Sequence, residues 1–409
     1  MTMKSLRILA ASALALVGIA IAIQPATAHK AITSKYTYND DVFPILRDKC
    51  ASCHVPGGVA PMSLMTYDDA FPWAESIRAE LVAAHMPPWN ADEGYGELKR
   101  AHTLTPKELD VILTWATGGN PRGSLDQVLP KVELKNDWKL GPPDLAVKLP
   151  AAFTLAADKM EDTQEFTLPS GTTEAKWVRA VDLLPGTPSI VRSASLVVKG
   201  AAATGSGPAP EHVLGLWLPG QDPAPQDGVA FRLPAGAQLG VRIHYKKTGQ
   251  FEGKALTDRS TVGVYFAPAA ATQELLALPI DSPASASGGA DQTVRFSHTL
   301  AEDVQALGLS PDKVPGNISL QVEAVKPDGS RVPMIRLNTR ADWDRRYWFE
   351  KPMALPRGTR VEVTANLQDP DMLSAAFTST PGVAIPAARP SAMRLTLNVI
   401  PARAKPTAP

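Results

Sequence analysis

Two spacings of apolar residues divide this chain. From residue 138 onward, apolar and polar positions alternate in short runs. Leu239-Gly240-Val241-Arg242-Ile243-His244-Tyr245 and Ile318-Ser319-Leu320-Gln321-Val322-Glu323-Ala324-Val325 show it most clearly. Trp177–Val181, Ser195–Val198, Ser260–Phe266, Val332–Leu337, Tyr347–Phe349 and Thr359–Val363 repeat it. A period of two places one face of each run on a core and the other in water, which predicts antiparallel strands. Turns such as Lys326-Pro327-Asp328-Gly329 punctuate the runs. The array predicts two all-β, jelly-roll-like sandwiches of about 130 residues each, over 138–271 and 272–405.

Before residue 124 the spacing is helical. Val42, Ile45, Leu46 and Lys49 share one helix face. Asn39 or Asp40 can cap that helix, and Pro44 is tolerable only near its start. At the far end, Thr105-Pro106-Lys107-Glu108 combines an N-cap, a proline in the first turn and a capping-box glutamate. Leu109, Ile112, Leu113 and Ala116 give the apolar stripe, and Gly118-Gly119 stops it. The expectation is a small all-α domain over 29–123, joined to the sandwiches by a polar linker over 124–137.

Composition agrees with a chain that is mainly strand and turn, having 38 prolines and 29 glycines among 409 residues. Its 41 basic and 41 acidic residues cancel, which gives no sign of a nucleic-acid partner. At the N-terminus, Lys4 and Arg7 precede an uncharged apolar run from Ile8 to Ile23, then Ala26-Thr27-Ala28. This is the pattern of a secretory signal peptide over 1–28. The run is short for a membrane span, which takes about 20 residues. The expected location is therefore periplasmic, with no transmembrane anchor once the signal is cleaved.

The chain has two cysteines, and they stand in Cys50-Ala51-Ser52-Cys53-His54. Cys-x-x-Cys-His is the attachment signal for a c-type haem. Two thiols three positions apart add to the two vinyl groups of one porphyrin, and the adjacent histidine ligates the iron as its proximal ligand. The alternatives are a thioredoxin-like dithiol and half of a zinc site. The first belongs at a strand-to-helix turn, whereas here a helix precedes the motif and a Gly/Pro-rich loop follows. The second needs four ligands, and no second Cys/His cluster lies nearby. For the distal ligand, Met86 in His85-Met86-Pro87-Pro88-Trp89 is preferred, because two prolines stiffen its loop. Met62, Met65, His85 and His102 are the other candidates.

A resemblance extends this reading. Asp41–Leu46, Cys50–His54, Pro56-Gly57, Ala60–Leu64, Trp73, Met86–Trp89 and Thr114-Trp115 resemble a group of bacterial proteins. In that group a monohaem cytochrome c domain precedes a copper type II, ascorbate-dependent (peptidylglycine hydroxylating) monooxygenase-like double jelly roll. Trp138–Leu145, His244–Gly249 with Asp258–Ser260, Lys326–Gly329 and Leu355–Thr359 carry the likeness through the β region. The resemblance implies two coppers, one on each jelly roll. The first would be held by a His-His pair and a distant His-Tyr, the second by a His-x-His and a methionine. His244-Tyr245 matches, but Arg192 and Ser193 stand where the pair belongs. No histidine follows His298, and Met393 alone would match the methionine. His212 is a possible spatial neighbour of His244, and His298 reads as an ordinary strand residue. Copper is therefore not expected.

The resulting expectation is an exported c-type cytochrome that passes electrons through one covalent haem to a periplasmic redox partner protein. Its β module would serve docking or binding, and no independent catalysis is assigned. The competing expectations are a haem-fed copper-dependent monooxygenase and an accessory subunit of a periplasmic oxidoreductase assembly.

Overall fold

The computed structural model describes residues 33–99, 103–199, 212–221, 228–268, 273–283, 292–339, 345–367 and 392–402. The expected signal segment 1–28 and His102 lie outside them. Of the described residues, 42% are in strands and 14% in helices. None of their helices is long and apolar enough to cross a membrane.

The strands form where the alternation places them. Ser319–Val325 buries Leu320, Val322 and Ala324 and leaves the intervening positions half-buried. It lies between Arg331–Asn338 and Arg360–Asn366, with Val322 opposite Val363. Four blade-like sheets of four or five strands result, together with a two-stranded ribbon. They share their cores in pairs. One core lies between the sheet containing Val191–Lys199 and Gln238–Lys246 and the sheet containing Lys176–Leu184 and Thr261–Phe266. The other lies between the sheet containing Ser319–Val325 and the sheet containing Val304–Lys313 and Arg394–Pro401. These pairs are called the first and second β units below.

The predicted arrangement of a small all-α domain followed by two consecutive jelly rolls is corrected on both counts. The β units do not close at residue 272. Gln273–Glu274 pairs in parallel with Val229–Leu233 of the first unit. Leu307 and Ile400, from late strands, pack in the first core. Alternation reports which face of a strand is buried but not which strands pair, so it could not supply this connectivity.

The N-terminal part is likewise not a separately folded all-α domain. Its described residues hold four short α-helices: α1 (Phe43–Lys49), α2 (Tyr67–Ala70), α3 (Ala74–Val82) and α4 (Pro106–Thr117). The capping box of α4 forms as its sequence predicts. Ahead of α1, however, Thr37 is the cap rather than Asn39 or Asp40. Tyr38, Phe43, Leu46, Ile112 and Trp115 build a core of their own. Leu129, Val132 and Leu134, from the polar stretch after it, pack on that core.

After α3 the helical pattern ends. Pro87 and Pro88 lack the N–H groups that a helix requires, and residues 89–99 form a strap across the second β unit. The Asp92 N–H donates to the Arg336 carbonyl at 2.9 Å, and the Asn338 N–H donates to Asn90 at 2.9 Å. The Lys99 N–H donates to Trp348 at 2.8 Å, and the Glu350 N–H donates to Glu97 at 2.8 Å. Arg331–Asn338 and Tyr347–Leu355 are edge strands of their sheets. The strap thus satisfies two rows of backbone groups that would otherwise face water or another chain.

Gly96 permits this approach. Its φ is +78°, and a Cβ there would lie 2.0 Å from the Met334 carbonyl oxygen. Gly96→Ala is expected to destabilise the strap by at least about 2 kcal/mol. Amide exchange across residues 90–99 should accelerate accordingly. Unchanged exchange would show that the strap is anchored elsewhere.

Candidate functional site

The Cys-x-x-Cys-His segment continues the last turn of α1. The Cys50 N–H donates to the Leu46 carbonyl at 2.9 Å, and the His54 N–H donates to the Cys50 carbonyl at 2.8 Å. Beyond it, Ala60 returns its N–H to Cys53 and Leu64 returns its N–H to His54. These bonds fold residues 50–64 into a compact loop and bring the Met62 carbonyl within 3.2 Å of His54 Nδ1. A carbonyl only accepts, so Nδ1 carries the proton and Nε2 keeps its lone pair. Burial holds the His54 pKa below its usual value, against the opposing pull of the Met62 bond. The ring is therefore neutral, with a fixed tautomer, as ligation through Nε2 requires.

Both thiols are free and reside in low-dielectric surroundings. Burial pushes Cys50 up to about 12 and raises Cys53 as well. A redox dithiol needs the opposite shift, because the thiolate is the nucleophile. Among the described residues, no group of three or more His, Cys, Asp or Glu side chains is gathered for a metal. The dithiol and zinc alternatives thus gain no support from the geometry.

Cys50, Cys53 and His54 line a cavity of about 410 Å³ whose wall is mostly apolar. Its volume falls within the range of cofactor and small-molecule pockets, about 300–1,000 Å³. The Met86-Pro87-Pro88-Trp89 segment contributes to the wall, as do Met62 and the partly exposed Trp73. The structure thus separates the distal candidates. Met86 and Met62 reach the cavity, whereas Met65 is buried in the neighbouring core. His85 is not in the wall, and its Nδ1 lies 3.0 Å from Glu80 Oε2.

Sequence reasoning missed the part of the wall that comes from the β units. Pro219, Gly220, Gln221 and Arg192 of the first unit line the cavity, as does Arg345 of the second. Gly220 has φ +80°, and a Cβ there would lie 2.4 Å from Cβ of Ser52, the residue just before Cys53. Only glycine lets this turn press so closely on the motif loop. No periodicity marks these positions. The one available signal was a run of adjacent arginines, Arg345-Arg346, directly before an aromatic strand.

The histidines of the β region are scattered. His244 faces Glu161, with Nε2 3.7 Å from its carboxylate. His212 and His244 sit in one sheet, opposite Val198 and Ser193 of the same middle strand. That separates them by about 16 Å along the strand at roughly 3.3 Å per residue, so they are not neighbours. His298 pairs opposite Val361 in the other β unit. Met393 is buried in the second core, its N–H bonded to Ser282 Oγ at 2.8 Å.

No family model matches this chain. No curated protein matches it either. Among solved structures, a fucolectin from striped bass (Morone saxatilis) serum is similar at 10% identity and TM-score 0.18, over 61% of this chain and 85% of that one. A Paenibacillus xanthan lyase is similar at 9% identity and TM-score 0.16, over 66% of this chain and 28% of that one. A structure of Sulfolobus Turreted Icosahedral Virus is similar at 9% identity and TM-score 0.14, over 66% of this chain and 99% of that one. Scores this low do not indicate a shared fold.

These findings correct the resemblance to cytochrome c–copper monooxygenase fusions. It rested on short matches in the helical part, Cys50–His54 among them, and around turns of the β region. No family model supports it, and the mostly β fold lacks the separate all-α haem domain that it implies. The Cys-x-x-Cys-His motif and its cavity stand apart from that resemblance.

Proposed function

We propose that this protein carries one covalent haem c in the cavity beside Cys50, Cys53 and His54 and works by electron transfer. The observation that carries the reading is the convergence of two neutral thiols, a tautomer-fixed imidazole and a methionine on one apolar cavity. Cys50 and Cys53 would each add S–H across one vinyl double bond, forming a C–S bond with no oxidant consumed. His54 would ligate through Nε2, and Met86 is the preferred second ligand. When bound, the haem supplies a one-electron iron couple.

The chain's own residues prepare the site. The 50–64 loop fixes the ring of His54 through the Met62 carbonyl. The wall is mostly apolar, and Trp73 lines it while remaining partly exposed. The N-terminal apolar segment supports export to the periplasm, where bacteria attach haem to such motifs. A periplasmic redox protein is the proposed partner.

The test uses the mature protein recovered from a host with a cytochrome c maturation system. One haem should add to the polypeptide mass and survive acid–acetone extraction. A haem that extracts freely, or a chain maturing without one, would sink the proposal. Methionine ligation adds a second expectation. The oxidised protein should show the weak near-infrared sulfur-to-iron band, and Met86→Ala should abolish it while Met62→Ala leaves it intact. The reverse pattern would assign the distal position to Met62.

A further inference from the structure

The cavity wall contains charge that its apolar character does not explain. Arg192 is 8% exposed and Arg345 is 9% exposed. One comes from the strand Val191–Lys199 of the first β unit, the other from the residues just before Tyr347–Leu355 of the second. Both line the same cavity as Cys53 and His54. The Arg345 guanidinium stacks over Trp89, 5.5 Å from the ring centroid, and its Nε has no hydrogen-bond partner among the described residues. Among the described residues the one carboxylate in the wall is Glu80, which is engaged with His85. Lys49 is committed to Thr103 and Glu108. Burying a guanidinium without an anion costs several kcal/mol, and among the described residues no carboxylate pairs with Arg345, so this cavity is suited to receive one.

We infer that Arg345, together with Arg192, binds the two carboxylate groups of the haem, so that the β units complete a site whose attachment residues lie in the helical part. The inference rests on the haem reading above. The macrocycle suits the apolar wall, and its acid side chains need cationic partners in the same cavity. A planar guanidinium donates two parallel N–H bonds to a carboxylate. The strap 89–99 and the Gly220 turn then serve to hold the two halves in register.

The experiment measures haem content and midpoint potential in the full-length mature protein and in Arg345→Gln, Arg192→Gln and Arg345→Lys. A buried cation near the iron favours the reduced, less positive state. Each Gln variant is expected to lower the reduction equilibrium constant on the order of tenfold, about 59 mV for one electron. Arg345→Lys keeps the charge but not the fork, and should restore most of the potential. Unchanged potentials in both Gln variants, with one covalent haem still present, would overturn the inference and leave Arg345 as a packing residue on Trp89. Should Arg345→Gln not accumulate, Arg192→Gln and Arg345→Lys decide: wild-type potential in the first overturns the joint role. A wild-type protein without haem would instead sink the underlying reading, so the two failures are distinguishable.

Discussion

Removing both thiols, as Cys50→Ala/Cys53→Ala, is expected to abolish covalent haem entirely. The two cysteines are the whole sulfhydryl content of the chain, so no other residue can form the thioether. The single variants should differ from the double. Each leaves one thiol at a fixed place on the 50–64 loop, and one-point attachment shifts the absorption maximum of the reduced haem. Mass spectrometry and the reduced spectrum read both effects. The apo double variant also loses whatever stability the bound group provides, which at high effective saturation amounts to several kcal/mol. A double variant that matures with a full complement of covalent haem would refute the assignment of these residues.

The second large effect is on stability. Trp115 is fully buried at the centre of the helical part. Its ring meets Tyr38 at 6.0 Å, and its Nε1–H donates to the Pro121 carbonyl at 3.1 Å. Trp115→Ala removes the largest buried side chain there and leaves a cavity, while the Pro121 carbonyl keeps the Tyr38 N–H at 2.8 Å. The expected loss is about 3–5 kcal/mol. Trp115→Phe should recover most of the packing and none of the hydrogen bond. Denaturant unfolding followed by haem absorbance should show an early transition in Trp115→Ala. Its coincidence with the wild-type transition would mean that the helical core does not hold the cavity together.

Loss of helical order should also reach the motif loop. Tyr38 donates its hydroxyl to the Leu64 carbonyl at 2.8 Å, and Leu64 is tied to the His54 carbonyl by its own N–H. The buried core around Trp115 thus fixes one end of the loop that aims His54. By contrast, Arg346, next in sequence to Arg345, donates to the Val213 and Leu214 carbonyls of the first β unit and stacks on Phe231 and Trp348. It clamps the two β units, while its neighbour faces the cavity. The two adjacent arginines thus have separate surroundings, one in the cavity wall and one between the β units.

The sequence by itself determined what short-range chemistry controls. The motif Cys50–His54 was legible because its residues are contiguous, and the hydrogen bonds that fold it as a turn after α1 span only a few positions. The capping box of α4 was legible because its hydrogen bonds span three residues. The strands from Lys176–Leu184 to Arg360–Asn366 were legible because a period of two reports one buried face. Only the tertiary structure decided which strands pair, that Gln273–Glu274 crosses to the first β unit, and that residues 89–99 cover two sheet edges. It also decided that Met65 belongs to a core while Met62 and Met86 reach the cavity. Arg345 joins Cys53 at one cavity wall although nearly three hundred residues separate them. Contacts of that span depend on which sheet edges and cores remain to be covered once every local element has formed, and no local pattern of residues encodes that.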